Sequence, residues 1–390
     1  MRIGLTADLH LDRRLGARTD VEGVNLRSRD LEAATRRVID GFIASEVEIG
    51  VFAGDLFDHP KPSERSRQFL VTEIRRLMAA GIRPVILRGN HDAAAIFSGG
   101  TAIGTLALSL PPEAVIVDAY APYVFRVTPD VAITCVPWLR SDVEFYTTIE
   151  ALVPVPDAHN ILVLHCGVAD LPEYAELRPG SQTLTRSLVP IDRFDAIFAG
   201  HFHMYRDLPS LRFHFIGSPE RLSVSEVGDE KGYLVYDTET GITTRHAIVT
   251  RSWYDAILDA TDRDGQAIVA EVESFARTIP DWENAIVRLR IEHVAADIAA
   301  ALDVTSLRAI AGSAFHAELD LRVDDPILSG LGMDEEKAPR FEDLPAEWRR
   351  FVGRLDGRTP AERERITDLG LVALGGDVIV AGIGTLPATV

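Results

Sequence analysis

Five short apolar runs recur along the first 200 residues, and polar residues follow each run at once. The runs are Ile3–Ala7, Ile49–Ala53, Pro84–Leu87, Ile161–Leu164 and Ala196–Ala199. Continuous apolar runs of this length are typical of strands buried on both faces of a parallel sheet. Apolar stripes at helical spacing separate the first three runs: Leu31, Val38 and Phe42 form one, and Phe69, Leu70, Ile74, Leu77 and Met78 form another.

After residue 110 the apolar positions mostly alternate, which is the period of a strand with one buried face. The further strand segments are Tyr123–Val127, Val131–Cys135, Phe213–Ile216, Gly232–Tyr236 and Thr243–Val249. Strands covered by helices on the outside are typical of layered architectures. We therefore predict an α/β fold, with a layered α/β sandwich over residues 1–250.

A second, smaller α/β domain is predicted over residues 251–325. Its expected elements are a helix at Gly265–Thr278, a strand at Ala285–Ile291, a helix at Ala295–Leu302 and a strand at Ala314–Val323. Residues 326–343 are acidic and contain Pro326 and Pro339, so we predict a linker there. The remaining segment, 344–390, is predicted to be helical, with a short strand at Asp377–Ala381. One helical face there carries Leu344, Trp348, Phe351, Val352 and Leu355.

Composition places the chain among soluble globular proteins, with 46% hydrophobic and 25% charged residues. No apolar run reaches the roughly 20 residues that span a bilayer, and Asp8 follows the start too early for a secretion signal. Two cysteines, Cys135 and Cys166, fit a reducing compartment, so we expect a cytoplasmic protein without membrane contact. The net charge of −19 argues against a broad nonspecific grip on nucleic acid. A local basic patch or a partner protein can still provide binding to nucleic acid.

Polar motifs stand at the end of each of the five predicted core strands. They are Asp8-Leu9-His10, Gly54-Asp55-Leu56-Phe57-Asp58, Gly89-Asn90-His91-Asp92, His165-Cys166-Gly167 and Gly200-His201-Phe202-His203. Sites in open α/β sheets lie at the carboxyl ends of strands. Asp-x-His or Gly-Asp-x-x-Asp alone is a weak signal, because a turn also explains it. Five motifs in order on strand ends favour a metal site.

Neutral imidazole and carboxylate are ligands for Mn, Fe or Zn, and the amide oxygen of Asn90 suits hard cations. Two such ions about 3.5–4 Å apart can clamp a phosphoryl group. That arrangement needs a shared carboxylate, and we predict Asp55 in this role. The two predicted ligand sets are Asp8, His10 and His203 for one ion, and Asn90, His165 and His201 for the other.

His91 is not needed as a ligand, so it can face the substrate and donate a proton or stabilise charge on phosphate. We predict that Asp92 orients it, and that both are catalytic. Asp58 is expected to support a ligand or to shape the turn. Of the other histidines, His159, His246, His293 and His316 are expected to be structural, and the roles of His59 and His214 stay open.

These motifs, in this order, resemble the calcineurin-like metallophosphoesterase superfamily, and within it the SbcD family of DNA-repair exonuclease subunits. The segments Gly217-Ser218-Pro219-Glu220-Arg221-Leu222 and Asp229-Glu230-Lys231-Gly232-Tyr233 strengthen the resemblance. It is specific over roughly residues 1–240 and only architectural beyond them. Asp12 departs from the family pattern, which often has Gly after the His-Leu pair.

The resemblance implies an Mn²⁺-dependent exonuclease and endonuclease acting on DNA ends in double-strand break repair. It implies that the domain at 251–325 caps the DNA, and that helices near Pro62–Ala80 and Ile96–Leu110 form a homodimer. It also implies a partner ATPase of the SbcC type, docked on the C-terminal helices. The alternative for the stripe around Trp348 is packing on its own domain.

The first loop places arginines next to the predicted metals, and we predict that they contact phosphates: Arg13, Arg14, Arg18, Arg27 and Arg29. A solvated charged loop is the alternative. Two other functions remain open. One is a phosphodiesterase for small molecules such as cyclic nucleotides, which the acidic charge favours. The other is a noncatalytic scaffold, which the complete ligand set disfavours.

Overall fold

The structure, a computed structural model, describes residues 1–93, 101–168, 182–185, 190, 192–324, 348–349, 352–353, 359 and 363–367. The chain divides into two units, Met1–Arg322 and Val323–Val390. Nearly all described residues lie in the first unit. None of the described helices is both long enough and apolar enough to cross a membrane.

Strands account for most of the core of the first unit. Those up to residue 168 are β1 (Arg2–Thr6), β2 (Ile49–Ala53), β3 (Arg83–Leu87), β4 (Val115–Val117), β5 (Tyr123–Thr128), β6 (Val131–Val136), β7 (His159–His165) and β8 (Gly167–Val168). The later ones are β9 (Thr183–Leu184), β10 (Ala196–Gly200), β11 (Arg206–Leu208), β12 (Phe213–Phe215), β13 (Gly232–Asp237), β14 (Ile242–Ala247), β15 (Trp253–Asp259), β16 (Ile286–Val294) and β17 (His316–Val323).

The helices are α1 (Leu26–Ala44), α2 (Glu64–Ala79), α3 (Ala102–Ser109), α4 (Asp142–Ala151), α5 (Gly265–Thr278), α6 (Ala296–Ala301) and α7 (Val304–Ser313). Capping side chains fix where the longer ones begin. Asn25 accepts a hydrogen bond from a backbone N–H in the first turn of α1, and Ser63 and Asp264 do the same for α2 and α5. Each cap satisfies a donor that the helix itself leaves unpaired.

Two six-stranded sheets form the sandwich, in the orders β14-β13-β1-β2-β3-β4 and β11-β12-β10-β7-β6-β5. Strands β1, β2 and β3 are parallel neighbours, as are β10 and β7. Between the sheets lies an apolar layer that includes Leu5, Val51 and Phe198. Helices α1, α2 and α3 cover the outside of the first sheet, and α4 covers the second. The predicted layered α/β fold is confirmed.

Residues 253–323 form a three-stranded sheet, β15-β16-β17, with α5, α6 and α7 packed on it. Their apolar residues make a separate core around Ile268, Leu289 and Ile291. We call this part the 253–323 region. It corresponds in place to the smaller α/β domain predicted over residues 251–325, although it belongs to the first unit up to Arg322.

Only a few residues of the second unit are described, and 348–349, 352–353 and 363–367 are helical. The Trp348 indole Nε1 donates to the carbonyls of Ile366 (3.3 Å) and Thr367 (3.2 Å), and Val352 is buried. These contacts favour the packing alternative for the stripe. Leu344, Phe351, Leu355, the predicted linker at 326–343 and the strand at Asp377–Ala381 lie outside the described residues.

Candidate metal centre

The carboxyl ends of five core strands meet at one edge of the sandwich. Asp8 and His10 follow β1, Asp55 follows β2 and Asn90 follows β3, whereas His165 ends β7 and His201 and His203 follow β10. Because β1–β2–β3 and β7–β10 run parallel within their sheets, their ends bring all seven predicted ligands together.

Several of these residues have left-handed backbone conformations, which are uncommon for residues other than glycine. The φ angles are 55° at Asp8, 43° at His10, 52° at Asp55 and 90° at His201. Backbone hydrogen bonds hold them there, including Asp8 N to the Gly54 carbonyl and His10 N to the Asp55 carbonyl, both 3.0 Å. Strain concentrated in this way is characteristic of functional sites.

Two motif glycines make room for the cluster. Gly54 has a φ of +92°, and a Cβ there would collide with the His165 ring. A Cβ at Gly89 would collide with the carboxylate and backbone nitrogen of Asp55. Any side chain at either position would therefore push a ligand out of place. This is the physical reason that glycine precedes aspartate in one motif and asparagine in the other.

Six of the seven residues fall into two groups of neighbouring ligand atoms. Ligand atoms of Asp8, His10 and His203 lie within 4.8 Å of one another, as do those of Asp55, His165 and His201. Asp55 Oδ2 lies 3.6 Å from His10 Nε2 and 3.4 Å from His165 Nε2, so it faces both groups. These two groups follow the division predicted from the sequence, with Asp55 between them. A third group joins His91 to His10 and Asp55, which the sequence prediction did not include.

The donor set fits divalent cations. His10 Nε2 is buried and has no hydrogen-bond partner among the described residues, although it faces a carboxylate. Asn90 Oδ1 lies 3.0 Å from His165 Nε2 and 2.9 Å from His201 Nδ1. Three atoms that could each bind a metal ion therefore converge. Buried imidazole and carboxylate groups facing one another in this way suit Mn, Fe or Zn. The His/Asp cluster therefore fits divalent metal ions.

Electrostatics within the cluster are dominated by burial and mutual charge. Burial would raise the pKa of Asp55, but His165 and His10 outweigh it and hold that pKa below its usual range. Burial opposes a charge on His165 too, yet Asp55 and Asp8 raise its pKa to about 9. Burial and the neighbouring His165 lower the pKa of His201 to about 3. Since imidazoles bind metals only when neutral, cation binding here is coupled to proton release.

His91 is partly buried beside the cluster, and its ring centroid is 4.6 Å from that of His10. Its Nδ1 lies 2.8 Å from the backbone carbonyl of Asp58, and its backbone N–H donates to Asp55 Oδ1 at 2.8 Å. A carbonyl only accepts, so Nδ1 carries the hydrogen and the Nε2 lone pair is left free in the neutral ring. The structure therefore fixes His91 in an orientation that suits contact with a substrate.

The prediction that Asp92 orients His91 is wrong. Asp92 is fully buried, and its oxygens accept hydrogen bonds from the backbone N–H groups of Leu56 (3.2 Å), Phe57 (3.0 Å) and Gly89 (3.0 Å). Burial and the nearby Asp55 raise its pKa to about 7. Asp92 instead ties the loop after β2 to the loop after β3, which carry the shared carboxylate and Asn90.

Asp58 supports a ligand directly. Its Oδ1 lies 3.1 Å from His10 Nδ1 and also accepts a hydrogen bond from Arg13 at 2.9 Å. Burial would raise the pKa of Asp58, but the hydrogen bond with His10 and the charge of Arg13 lower it. A carboxylate on the far nitrogen of a ligating histidine fixes the tautomer of the ring.

The predicted phosphate-binding arginines occupy different surroundings. Arg27 is buried, pairs with Asp30 and Glu220 and stacks over Trp253, and Arg29 contacts three carboxylates, Asp20, Glu22 and Glu32. These positions do not favour phosphate contact for either residue. Arg18 donates to carbonyls of Glu283 and Gly312 in the 253–323 region. The prediction stands for Arg13, Arg14 and Arg18, which are at least partly exposed.

Asp12 explains how the first loop tolerates a residue other than glycine. Its φ is +77°, a conformation in which glycine is the usual choice. The carboxylate compensates by accepting hydrogen bonds from the backbone N–H (2.8 Å) and the hydroxyl (3.1 Å) of Ser63, the residue that caps α2. The departure from the family pattern thus links the first loop to the helix behind it.

Sequence reasoning missed two neighbours of the ligands. Trp138 follows β6, and its ring centroid lies 5.4 Å from that of His201. Glu226 lies 3.2 Å from His203 Nδ1. The only signal for Glu226 was its position between the two family-like segments at 217–222 and 229–233.

Comparisons with known proteins identify a family for residues 1–205. Residues 1–205 match the family model of the calcineurin-like phosphoesterases. Over 88 residues, 22% of each chain, the protein is 35% identical to the uncharacterized metallophosphoesterase YhaO of Bacillus subtilis. Over 94 residues it is 31% identical to the DNA double-strand break repair protein Mre11 of Methanopyrus kandleri, covering 24% of this chain and 19% of that protein. The matches thus span about a fifth of each relative.

Among solved structures, a dimetal phosphatase from Danio rerio aligns over 60% of this chain and 91% of its own, with a TM-score of 0.36 and 14% identity. The family model covers more than half of the chain, because 205 of the 390 residues fall within it. The protein therefore belongs to the calcineurin-like phosphoesterase family.

Proposed function

We propose that this chain is a two-metal phosphodiesterase that cuts DNA, as the Mn²⁺-dependent exonuclease and endonuclease subunit of a double-strand break repair complex. The observation that carries the proposal is the pair of ligand groups around Asp55, with His91 beside them. Phosphoester hydrolysis follows from the family. The choice of DNA is supported by the local similarity to Mre11 of Methanopyrus kandleri.

Two divalent ions, when bound, supply Lewis acidity toward phosphoryl oxygens and lower the pKa of a water molecule. The residues of the chain do the positioning. Asp55 faces both ligand groups, and Asp92 holds the loops that carry Asp55 and Asn90 at a fixed spacing. Because that spacing is preorganised, little reorganisation is needed when a substrate arrives.

His91 completes the chemistry. With its Nδ1–H directed at the Asp58 carbonyl, its Nε2 is the atom available to substrate. In the imidazolium form, Nε2 holds a proton that it can give to the leaving oxygen or share with a phosphate oxygen. A general acid of this kind contributes about 10²- to 10⁴-fold to the rate.

The chain around the centre offers more than a small substrate requires. The 253–323 region contacts the first loop through Arg18, and Arg251 pairs with Asp30 at the start of α1. These contacts hold the sheet of the 253–323 region beside the catalytic edge, an arrangement that suits a polymeric substrate. None of the described motifs reads bases, so we expect selectivity for DNA structure rather than sequence.

The net charge of −19 favours a second candidate, a phosphodiesterase for cyclic nucleotides, because such a substrate needs no extended basic surface. For the DNA proposal the same charge means that much of the grip on DNA comes from partners. We propose two sources of this additional DNA binding. One is an SbcC-type ATPase, and the other is a second copy of the chain in a homodimer that involves α2 and α3. Both cysteines are buried and unpaired, which supports a reducing, cytoplasmic location.

The test compares three substrates with the purified chain and Mn²⁺: linear double-stranded DNA, single-stranded DNA and a cyclic dinucleotide. The proposal predicts degradation of DNA that a chelator abolishes, with the cyclic dinucleotide left intact. Turnover of the cyclic dinucleotide with intact DNA would replace the proposal by the second candidate. Absence of hydrolysis on all three, in protein that binds Mn²⁺, would favour a scaffold.

A further inference from the structure

We infer that Glu226, held by Lys231, is the positioning residue for His203, and that it sets the affinity of only one of the two metal positions. The inference rests on the two-metal centre of the proposed function and concerns the group of Asp8, His10 and His203. Nothing in the metal-ligand pattern of the sequence required a carboxylate at position 226. The contacts around it argue for the role.

The contact with the ring defines the tautomer. Glu226 Oε1 lies 3.2 Å from His203 Nδ1, and a carboxylate only accepts hydrogen bonds. Nδ1 therefore carries the hydrogen, which leaves the Nε2 lone pair for a cation. Carboxylate, imidazole and metal in series is a recurrent arrangement that raises the basicity of the ligand and fixes its ring.

Glu226 is itself immobilised. It is buried, and Oε1 also accepts hydrogen bonds from the backbone N–H and the hydroxyl of Ser223, both at 3.1 Å. Oε2 accepts from the backbone N–H of Leu222 at 3.2 Å and lies 2.6 Å from the Lys231 ammonium. Glu226 and Ser223 together form a capping box on the short turn Val224–Glu226. Because both of its oxygens are engaged, the Glu226 carboxylate can hold the His203 ring in only one orientation.

Lys231 fixes the backbone of the same histidine. Its buried ammonium donates to the His203 carbonyl at 2.8 Å and also lies 3.0 Å from Asp229. The backbone N–H of Ser218 donates to that carbonyl as well, at 2.8 Å. Lys231 therefore contacts His203 at the carbonyl and, through Glu226, at the ring. A buried ammonium is stable only with such partners, and here they orient a ligand.

The other ligand group lacks an equivalent. His165 Nδ1 lies 2.8 Å from the Ala53 carbonyl, and His201 Nδ1 lies 2.9 Å from Asn90, a predicted ligand. Neither of these two described histidines lies on a carboxylate held by a lysine. Loss of Glu226 should therefore weaken one metal position and leave the other as it was.

The variant Glu226→Gln keeps the size of the side chain and removes its charge. Mn²⁺ binding is measured by isothermal titration calorimetry and by electron paramagnetic resonance of the bound ions. We expect one of the two binding events to weaken about 10- to 100-fold, the usual effect of losing such a partner, while the other is unchanged. The coupled signal of two neighbouring Mn²⁺ ions should appear only at correspondingly higher metal concentration.

Glu220→Gln is the matched control. Glu220 is as deeply buried, lies in the same segment and pairs with Arg27, but does not contact a predicted ligand. Both binding events should be unchanged in it. The milder variant Ser223→Ala keeps the carboxylate and removes one of its donors, so it tests the inference if Glu226→Gln folds poorly. It should weaken the same event by a smaller factor.

Two results would overturn the inference: unchanged Mn²⁺ binding in folded Glu226→Gln and Ser223→Ala, or equal weakening of both events. The second result would show a general loss of structure instead of selective positioning. Because binding is measured without DNA, the proposed function can fail separately. Wild-type protein that binds two Mn²⁺ ions but leaves DNA intact would contradict the nuclease proposal and leave the role of Glu226 standing.

Discussion

The edge that carries the metal centre and the 253–323 region use polar residues in opposite ways. At the metal centre Asp8, His10, Asp55 and His165 are buried, with several of them in left-handed conformations. Throughout the 253–323 region, all of which is described, the buried side chains are apolar and the ionic ones lie at the surface.

Burying charged groups is costly unless they are paired or bind a metal. The 253–323 region follows the ordinary rule for a stable core, whereas the metal edge departs from it repeatedly. The buried polar residues therefore mark the metal edge, and not the 253–323 region, as the functional part of the chain. Substitutions of polar residues should accordingly have large effects at the first location and small ones at the second.

The largest effect is expected from Asp55→Ala. The shared carboxylate faces both ligand groups, so its loss should reduce bound Mn²⁺ well below two ions per chain and lower phosphodiester hydrolysis to background. Metal content by elemental analysis and hydrolysis in the same sample give the check. Asp255→Ala, in the 253–323 region, is the control and should retain both. Two tightly bound ions in Asp55→Ala would contradict the assignment.

His91→Ala separates catalysis from metal binding. We expect the rate of hydrolysis to fall about 10²- to 10⁴-fold, as for loss of a general acid, with two Mn²⁺ ions still bound. His59→Ala is the control, because His59 is half-exposed and lies outside both ligand groups. If His91→Ala hydrolyses substrate at the wild-type rate, His91 has no catalytic role.

Asp92→Asn tests whether a buried carboxylate here serves structure. An amide has one acceptor oxygen, so at least one of the three backbone N–H groups loses its partner. The free energy of unfolding should fall by about 1–3 kcal/mol, measured by urea denaturation of the metal-free protein. Asp195→Asn removes a half-exposed carboxylate and should cost much less. Equal stability of Asp92→Asn and wild type would refute the linking role.

Substitutions at Asp12 test the left-handed backbone of the first loop. At φ +77°, Asp12→Ala combines left-handed strain with the loss of two hydrogen bonds, whereas Asp12→Gly loses only the bonds. We expect the alanine variant to be less stable than the glycine variant by about 1–2 kcal/mol. Thermal unfolding of the pair measures the difference. The reverse order would show that position 12 is not held in this conformation.

The smallest effect is expected for the ion pair of Asp255 and Arg288, at 2.7 and 2.9 Å on the 253–323 region. Asp255→Asn should cost no more than about 1 kcal/mol, and less in high salt. The hydrogen bond from Arg288 holds the pKa of Asp255 below its ordinary 3.8. The contribution is therefore present above pH 3.8 and is lost as the pH falls through the lower folded value. A constant cost across that range would contradict this.

Much of the fold followed from the apolar pattern. The five core runs became β1, β2, β3, β7 and β10, with ends within two residues of those predicted, and the helix Gly265–Thr278 has the predicted bounds. The helix expected at Ala295–Leu302 is also present, as Ala296–Ala301. The pattern missed the helix that follows it, Val304–Ser313, which the Asp303 side chain caps.

At the site, side chains that share a strand end were easier to predict than those that support them. Asp55 and Asn90 follow the adjacent parallel strands β2 and β3, so strand order alone places them at one edge of a sheet. The partners of Asp92 are backbone N–H groups, which no residue pattern reveals, and the prediction for it was wrong. Glu226 lies 23 residues from His203 in sequence and reaches it through a turn, so spacing gave no sign of the contact.

We propose that the chain cuts DNA with two metal ions bound around Asp55. The most direct test adds Mn²⁺ stepwise to metal-free protein and measures bound metal and cleavage of linear DNA in the same samples. We predict little cleavage with one ion bound and a steep rise as the second binds. Full cleavage with a single bound ion, or intact DNA with both positions filled, would contradict the account.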